Sequence, residues 1–337
     1  MLKPIKASAI ANANIALVKY WGKRDKKLIL PNNSSISVTL KDLYAHTTVD
    51  FSKNYDKDIF ILNGKKFKVG TEEYDKYTGL FLNLVRKMAR INLKAKVSSN
   101  NNFPTAAGLA SSAAGFAALA TATNEALGLG LNKRNLSMLA RRGSGSATRS
   151  IYGGFVKWRK GKKENGTDSY AKQIASAEYW PDFRIIVCIT TKEEKKIKSR
   201  AGMAQTVATC PVYKGWLKAA KEDLKNTERA IAEKDFTLLG KTAERNCLKM
   251  HAIMMTTTPP IFYFNKTTID VMQSVLEWRK EGIECYFSID ASPQVKIICL
   301  EKNVKKIKEK CKRFKEVKKI IVTKPGEGVR IVKKHLF

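Results

Sequence analysis

The stretch Asn101-Asn102-Phe103-Pro104-Thr105-Ala106-Ala107-Gly108-Leu109-Ala110-Ser111-Ser112-Ala113-Ala114-Gly115 constrains this chain more than any other. Small residues and one proline close a loop. The alanine-rich apolar run from Ala113 to Leu127 then predicts a buried helix. Small side chains let an anion come close to the main chain, and the unpaired N–H groups and positive dipole at a helix start favour phosphate there. No lysine follows the glycine, so the stretch is not the G-x-x-x-x-G-K-[ST] loop and the P-loop NTPase architecture is disfavoured. By itself, the same composition equally describes a small-residue helix packed tightly in a core.

At 337 residues the chain is long enough for a large core and two domains. No run approaches the roughly 18 to 20 apolar residues of a membrane span. Met1 to Lys6 lead into a patterned strand without the apolar segment of a signal peptide, so a cytoplasmic enzyme is expected. The 63 basic and 30 acidic residues leave a net charge of +33, which draws polyanions and raises nucleic acid as a partner. In the densest basic run, Lys302 to Lys319, residues Val304, Ile307, Cys311, Phe314 and Val317 recur at helical spacing. The lysines there cover the solvated face of an amphipathic helix. With no nucleic-acid-binding motif present, non-specific attraction is expected and a specific nucleic-acid partner is not.

Six cysteines and three histidines are scattered without metal-ligand spacing, so no dedicated Cys/His metal site is expected. Cys188, Cys285 and Cys299 lie in apolar, strand-like runs and belong to the core, whereas Cys210 sits in a polar loop open to solvent. Whether any pair is oxidised is left open.

Strands are expected at Ile5 to Ala11, Asn14 to Val18, Leu28 to Leu30, Ser35 to Leu40 and Ala45 to Phe51. A hairpin about Asn63-Gly64 follows. Helices are expected at Glu72 to Ile91, from Asn132 to Arg142, and, in the second half, at Cys210 to Ile231, Phe236 to Met250 and Thr267 to Arg279. Strands Phe183 to Thr190, Glu284 to Ile289 and Val295 to Leu300 complete that half.

Four polar constellations stand beside these elements. Asn14, followed by Lys19-Tyr20-Trp21-Gly22-Lys23, stands at an apolar strand; alone such a group is more often a solvated strand end. The loop with Ser144, Ser146 and Arg149 is rich in donors suited to carboxylate or phosphate, or is an ordinary helix-terminating loop. Ser199-Arg200-Ala201-Gly202-Met203 adjoins a run of lysines, and by itself is a solvated surface loop. Asp290 follows a strand, where an aspartate commonly just forms a turn. Together they make a set of cations around one carboxylate beside a phosphate loop. That set suits phosphoryl transfer to an alcohol.

With those motifs in order, the chain resembles the diphosphomevalonate decarboxylase family, within the superfamily of galactokinases, homoserine kinases, mevalonate kinases and phosphomevalonate kinases. The resemblance runs nearly end to end. It rests on Asn14 to Asp25, Leu30 to Ser35, Asn102 to Gly115, Gly143 to Phe155, Gly202-Met203, His251-Ala252, Pro259 to Tyr263 and Asp290 to Pro293. It departs at Ser292 and Gln294, where the family usually has Gly and Asn.

The resemblance implies an α+β, two-domain small-molecule kinase fold: a ribosomal-protein-S5-like domain at 1–182, a ferredoxin-like domain at 183–337, and an active-site cleft between them. It implies ATP-dependent decarboxylation of 5-diphosphomevalonate to isopentenyl diphosphate through a 3-phosphorylated intermediate. By position, Asp290, Lys19, Arg149 and Asn14 would be catalytic: Asp290 would face the 3-hydroxyl, Lys19 would pair with it, and Arg149, oriented by Asn14, would hold the carboxylate. Tyr20, Lys23, Ser144, Ser146, Arg149, Ser199 and Arg200 would bind substrate. Asn102, Pro104, Ala107, Gly108, Leu109, Ala110, Ser111 and Ser112 would hold ATP. Mg²⁺ would arrive with ATP, with Ser112 the side chain able to meet it and no dedicated protein metal site. A homodimer is implied. The alternatives are a 5-phosphomevalonate decarboxylase, an ATP-independent decarboxylase of the 3,5-bisphosphate, and a polyanion-binding protein on a kinase fold.

Overall fold

The computed structural model describes residues 4–103, 111–191, 193 and 196–337. The chain opens with β1 (Ala7–Val18), a ribbon of β2 (Lys23–Asp25) and β3 (Leu30–Pro31), and the long β4 (Ser35–Ser52). The hairpin β5 (Ile59–Leu62) and β6 (Lys65–Phe67) has Asn63 and Gly64 both at positive φ, as a tight primed turn requires. The helical segment comprises α1 (Glu72–Tyr74), a π-helical turn (Asp75–Gly79) and α2 (Leu80–Ala89), and leads to β7 (Lys94–Asn101). Then come α3 (Ser111–Ala126), α4 (Lys133–Gly143), α5 (Ala147–Ser150), β8 (Phe155–Trp158) and β9 (Ala171–Ala175). Asn132 caps α4 by accepting from Asn135 N–H.

The second half runs β10 (Phe183–Ile189), α6 (Ser199–Thr209), α7 (Tyr213–Glu233), α8 (Phe236–Met255), α9 (Lys266–Lys280) and β11 (Cys285–Ile289). It ends with β12 (Val295–Leu300), α10 (Glu301–Lys312), β13 (Lys319–Thr323) and β14 (Arg330–Val332). The first sheet has the order β14-β1-β4-β7-β5-β6, with β8 and β9 extending from β4; the second has the order β11-β12-β10-β13. The last strand thus returns to the first sheet, with Val332 opposite Ser8.

Two expected strand pairs are continuous strands. Asn12 lies opposite Tyr44 and Asn14 opposite Thr39, so β4 bulges out at the position where the sequence pattern breaks while its pairing with β1 carries on. The buried helix expected after the loop is α3, enclosed on nearly every face. It packs on β1, and alanines of both elements, Ala114, Ala117 and Ala118 with Ala9, Ala11 and Ala13, share one buried cluster, small side chains that let helix and sheet come close.

One bland alternative and one expectation give way. Ser199 to Met203 is not a surface loop but the start of α6. That helix buries only Gly202 and Thr206, too narrow a stripe to be seen in the sequence. Cys210 is buried, packed with Trp21, Tyr213 and Trp216 where α6 ends. The core does not divide where the sheets do: Phe155, Phe183, Phe236 and Tyr286 form a chain of ring contacts from the first sheet into the second, with centroids 5.2, 6.4 and 5.7 Å apart.

Candidate active site

A cavity of about 380 Å³ opens where the end of β1, the start of α3, the turn before α5, the start of α6 and the β11–β12 turn converge. It is lined by Asn14, Lys19, Tyr20, Lys23, Ser144, Ser146, Arg149, Ser199, Arg200 and Asp290, together with Ser111 and Ser112. Every catalytic and substrate-binding residue expected from the sequence therefore meets in one cleft. Asn102 does not line it; its side chain accepts from Tyr44 N–H and donates to Asp42 O, fastening the chain to β4. Pro104, Ala107, Gly108, Leu109 and Ala110 lie outside the described residues.

At one end stands Asp290, about a quarter exposed, beside a Lys19 side chain almost wholly buried. Lys19 Nζ donates to Asp290 Oδ1 at 2.7 Å, Ser288 Oγ at 2.7 Å and Ala16 O at 3.0 Å, which uses all three of its protons. The main chain is held as firmly. Lys19 N–H donates to Asn246 Oδ1, and Asn33 Nδ2 donates to Lys19 O. A second lysine, Lys296, places Nζ 3.4 Å from Asp290 Oδ2. Burial alone would raise the Asp290 carboxyl, but Lys19 and Lys296 outweigh it and hold the group well below the usual carboxylate range.

Arg149 lies on α5 beneath the cleft, nearly fully buried. Its Nη1 donates to Ser35 Oγ at 2.7 Å and its Nη2 to Asn14 Oδ1 at 3.2 Å. Asn14 is itself oriented, donating to Ser150 Oγ and Ser146 O. Arg149 Nε is buried without a partner among the described residues, a charged donor with capacity to spare for an anion. Burial lowers Arg149 to about 10, against the opposing pull of Asp290 and Tyr20.

The other end is basic, and among the described residues no salt bridge neutralises its cations; Glu72 only partly offsets Lys76. Burial lowers Lys23 to about 8, helped by Arg200 and Lys26. Lys76, from the π-helical turn, is lowered by burial and by Lys198 and Arg200. Tyr20 packs edge-on against Trp158 at 4.8 Å, and its hydroxyl is buried with no hydrogen-bond partner among the described residues. Gly145 permits this: a Cβ there would meet both rings within about 3 Å. Arg200 donates to Gly143 O at 2.6 Å, and Trp21 Nε1 donates to Thr206 Oγ1 at 3.0 Å, so α6 is tied to the β1 end it faces. Ser112 Oγ, Ser144 Oγ and Ser146 Oγ follow one another at 3.3 Å, a line of hydroxyls from the start of α3 to the basic end. Unpartnered donors and uncompensated cations fit a phosphorylated ligand.

The sequence reading missed Lys296, Ser288, Ser35 and Asn246. Lys296 had a visible signal, since it is the sole charged residue of the otherwise apolar strand Val295–Leu300. The Gln294 departure is also placed. Its Oε1 accepts from Thr190 N–H and its Nε2 donates to Thr191 O, latching the β11–β12 turn to the end of β10.

Two family models match the chain. The diphosphomevalonate decarboxylase-like N-terminal domain covers residues 11–171, and the mevalonate 5-diphosphate decarboxylase C-terminal domain covers 185–325. The diphosphomevalonate decarboxylase of Rattus norvegicus is 38% identical over 319 residues, spanning 89% of this chain and 78% of that protein. The crystal structure of mevalonate diphosphate decarboxylase from Staphylococcus aureus is similar with a TM-score of 0.92 and 43% identity, covering 97% of this chain and 98% of that one. A structure of "MDDEF in complex with MVAPP, AMPPCP and Magnesium" has a TM-score of 0.91 and 42% identity, covering 98% and 99%.

Proposed function

The chain belongs to the diphosphomevalonate decarboxylase family, and from that premise we propose how its cleft divides the work of the reaction. It is an ATP-dependent decarboxylase of mevalonate 5-diphosphate that uses Mg²⁺. The observation that carries the assignment of residues is the meeting of Asp290, Lys19 and Arg149 in one cavity whose far end is uncompensated cation.

The substrate diphosphate occupies the basic end, held by Tyr20, Lys23, Ser144, Ser146, Ser199 and Arg200. The unpartnered Tyr20 hydroxyl and the lowered Lys23 support this, since both gain from an anion. Arg149, aligned by Asn14, takes the substrate carboxylate. Asp290 then faces the 3-hydroxyl. The stretch Pro104, Ala107, Gly108, Leu109, Ala110, Ser111 and Ser112 would hold the nucleotide phosphates, with Ser112 the side chain able to meet Mg²⁺, while Asn102, occupied with Tyr44 and Asp42, anchors the stretch to β4. ATP with Mg²⁺ supplies the phosphoryl group for the 3-oxygen.

Asp290 is too well paired to be a strong base. It orients the hydroxyl and receives its proton as the oxygen–phosphorus bond forms. In the second stage the C3–oxygen bond breaks and phosphate leaves. The electron pair of the bond to the carboxyl carbon becomes the new double bond, releasing CO₂ and isopentenyl diphosphate. Asp290 stabilises the positive charge that develops at C3, and Arg149 keeps the carboxylate aligned for its departure.

Incubation with mevalonate and its 5-phosphate and 5-diphosphate, following ADP, phosphate and CO₂, tests this. Equal yields of all three, with the 5-diphosphate preferred, are expected. Release of ADP without CO₂ would make the protein a kinase, turnover without nucleotide an ATP-independent decarboxylase, and preference for the 5-phosphate a phosphomevalonate decarboxylase. We further propose a homodimer in the cytoplasm, testable by light scattering and by localisation; no described helix is long and apolar enough to cross a membrane. A division into 1–182 and 183–337 is proposed too, supported by the gap between the family models.

A further inference from the structure

β12 lies inside the second sheet between β11 and β10, and Lys296 is the one charged side chain in it. The residue is wholly buried. Its Nζ donates to Gln294 O at 3.2 Å and lies 3.4 Å from Asp290 Oδ2, while Lys19 Nζ lies 2.7 Å from Oδ1. Each carboxylate oxygen therefore has a cation of its own. A buried ammonium is costly unless paired, and neighbouring positions of the strand carry valine and isoleucine instead. The terminal torsion of an aspartate is broad and two-fold, so a single lysine would leave the carboxylate plane free to turn. Two lysines on different oxygens hold it.

We infer that Lys296 is a positioning residue for the reaction, gripping Asp290 Oδ2 so that the carboxylate keeps one orientation towards the cleft. The inference rests on the assignment of Asp290 to the 3-hydroxyl. The other titratable groups around Lys296 and Asp290 are Lys19 at the end of β1, Arg149 on α5, and Cys247 and His251 on α8. Burial pushes the Cys247 thiol up to about 11 and lowers His251 to about 3, so neither changes charge near neutrality.

The test is steady-state kinetics of Lys296→Met, Lys296→Arg, Asp290→Asn and the Asp290→Asn/Lys296→Met double variant. Lys296→Met is expected to lower kcat about 10- to 100-fold with both KM values held within roughly threefold, the scale of a misplaced reacting group. The acid limb of its pH profile moves to higher pH, because Asp290 has lost a cation. Lys296→Arg falls between it and the wild type, and in the Asp290→Asn background Lys296→Met costs little more. Wild-type kcat in Lys296→Met, an unmoved acid limb, or the full loss persisting in the double variant would overturn the proposal. If Lys296→Met does not fold, wild-type kcat in Lys296→Arg does the same. Wild-type turnover in Asp290→Asn would instead remove the assignment of Asp290 itself.

Discussion

Asp290 and Lys23 line the same cavity, and each has a pKa below the ordinary value of its kind, yet the displacement means opposite things at the two ends. At Asp290 the charged form is favoured, because Lys19 and Lys296 outweigh the burial that would neutralise it. At Lys23 the charged form is disfavoured, because burial and the neighbouring Arg200 and Lys26 meet no opposing anion among the described residues. In the proposed reading, one end is complete before substrate arrives and the other is completed by it. A group meant to act on a reacting atom has its field set in advance, whereas a binding group keeps unspent charge for the ligand.

The comparison breaks first at Asp290. Asp290→Asn is expected to lower overall turnover by about 10²- to 10⁴-fold, the usual range for a group handling a proton and charge in the transition state. Loss of phosphate and CO₂ should suffer more than phosphorylation, so a 3-phosphorylated intermediate accumulates in rapid-quench mass spectrometry. A block before any ATP is consumed would place the residue wholly in the first step.

Arg149→Met should cost about 10²-fold in kcat/KM, because the substrate carboxylate loses its alignment while the diphosphate keeps its grip. An equal loss for a substrate analogue lacking the carboxylate would show that Arg149 acts on something else.

The basic end gives a smaller, pH-dependent effect. Burial lowers Lys23 to about 8, and in the proposed reading a bound diphosphate would raise it. Below pH 8 the lysine is already charged and KM for substrate is flat. Above it, binding must take up a proton, so KM rises by up to about tenfold per pH unit until the raised value is passed. Lys23→Arg should flatten this limb, since guanidinium keeps its charge. A limb unchanged in Lys23→Arg would assign the titration elsewhere.

Behind Lys19, Asn246 accepts from its N–H and donates to the fully buried Asp223. Asn246→Ala leaves both groups short of a partner and is expected to cost about 1 to 3 kcal/mol in urea unfolding. The smallest expected effect on catalysis comes from α10. Replacing its exposed lysines should weaken heparin or DNA binding without changing turnover, and a parallel loss of activity would mean that the charge serves the cleft.

The site was legible as residue types, and the resemblance also implied the Lys19–Asp290 and Asn14–Arg149 pairs, but not the partners behind them. Asn14, Lys19, Tyr20, Arg149 and Asp290 each followed or preceded a recognisable strand or helix end, and their motifs stand in family order. Lys296 was passed over because an apolar strand predicts core, and one lysine within it does not say what it faces. Ser199 and Arg200 were seen, but not their helix, because α6 buries so little of itself and is tied down by distant partners such as Trp21 on Thr206 and Gly143 on Arg200. Gly22 is another case. Its positive φ and the Tyr213 hydroxyl filling the space of a Cβ explain why the β1–β2 turn needs glycine, and Tyr213 is remote in sequence.

By itself the amino-acid sequence determined what depends on neighbours a few residues apart. The Asn63-Gly64 turn, the Asn132 cap, the all-round apolar α3 and the lysine face of α10 are of this kind, because turn torsions, capping bonds and helical periodicity act over a single turn of chain. Only the tertiary structure decided that Lys19 meets one oxygen of an aspartate 271 residues away and Lys296 the other. Ion pairs of that range have no periodicity in the chain. They depend on how the end of β1, α8 and the β11–β12 turn pack, and buried charge is tolerated only where that packing brings its partner within reach.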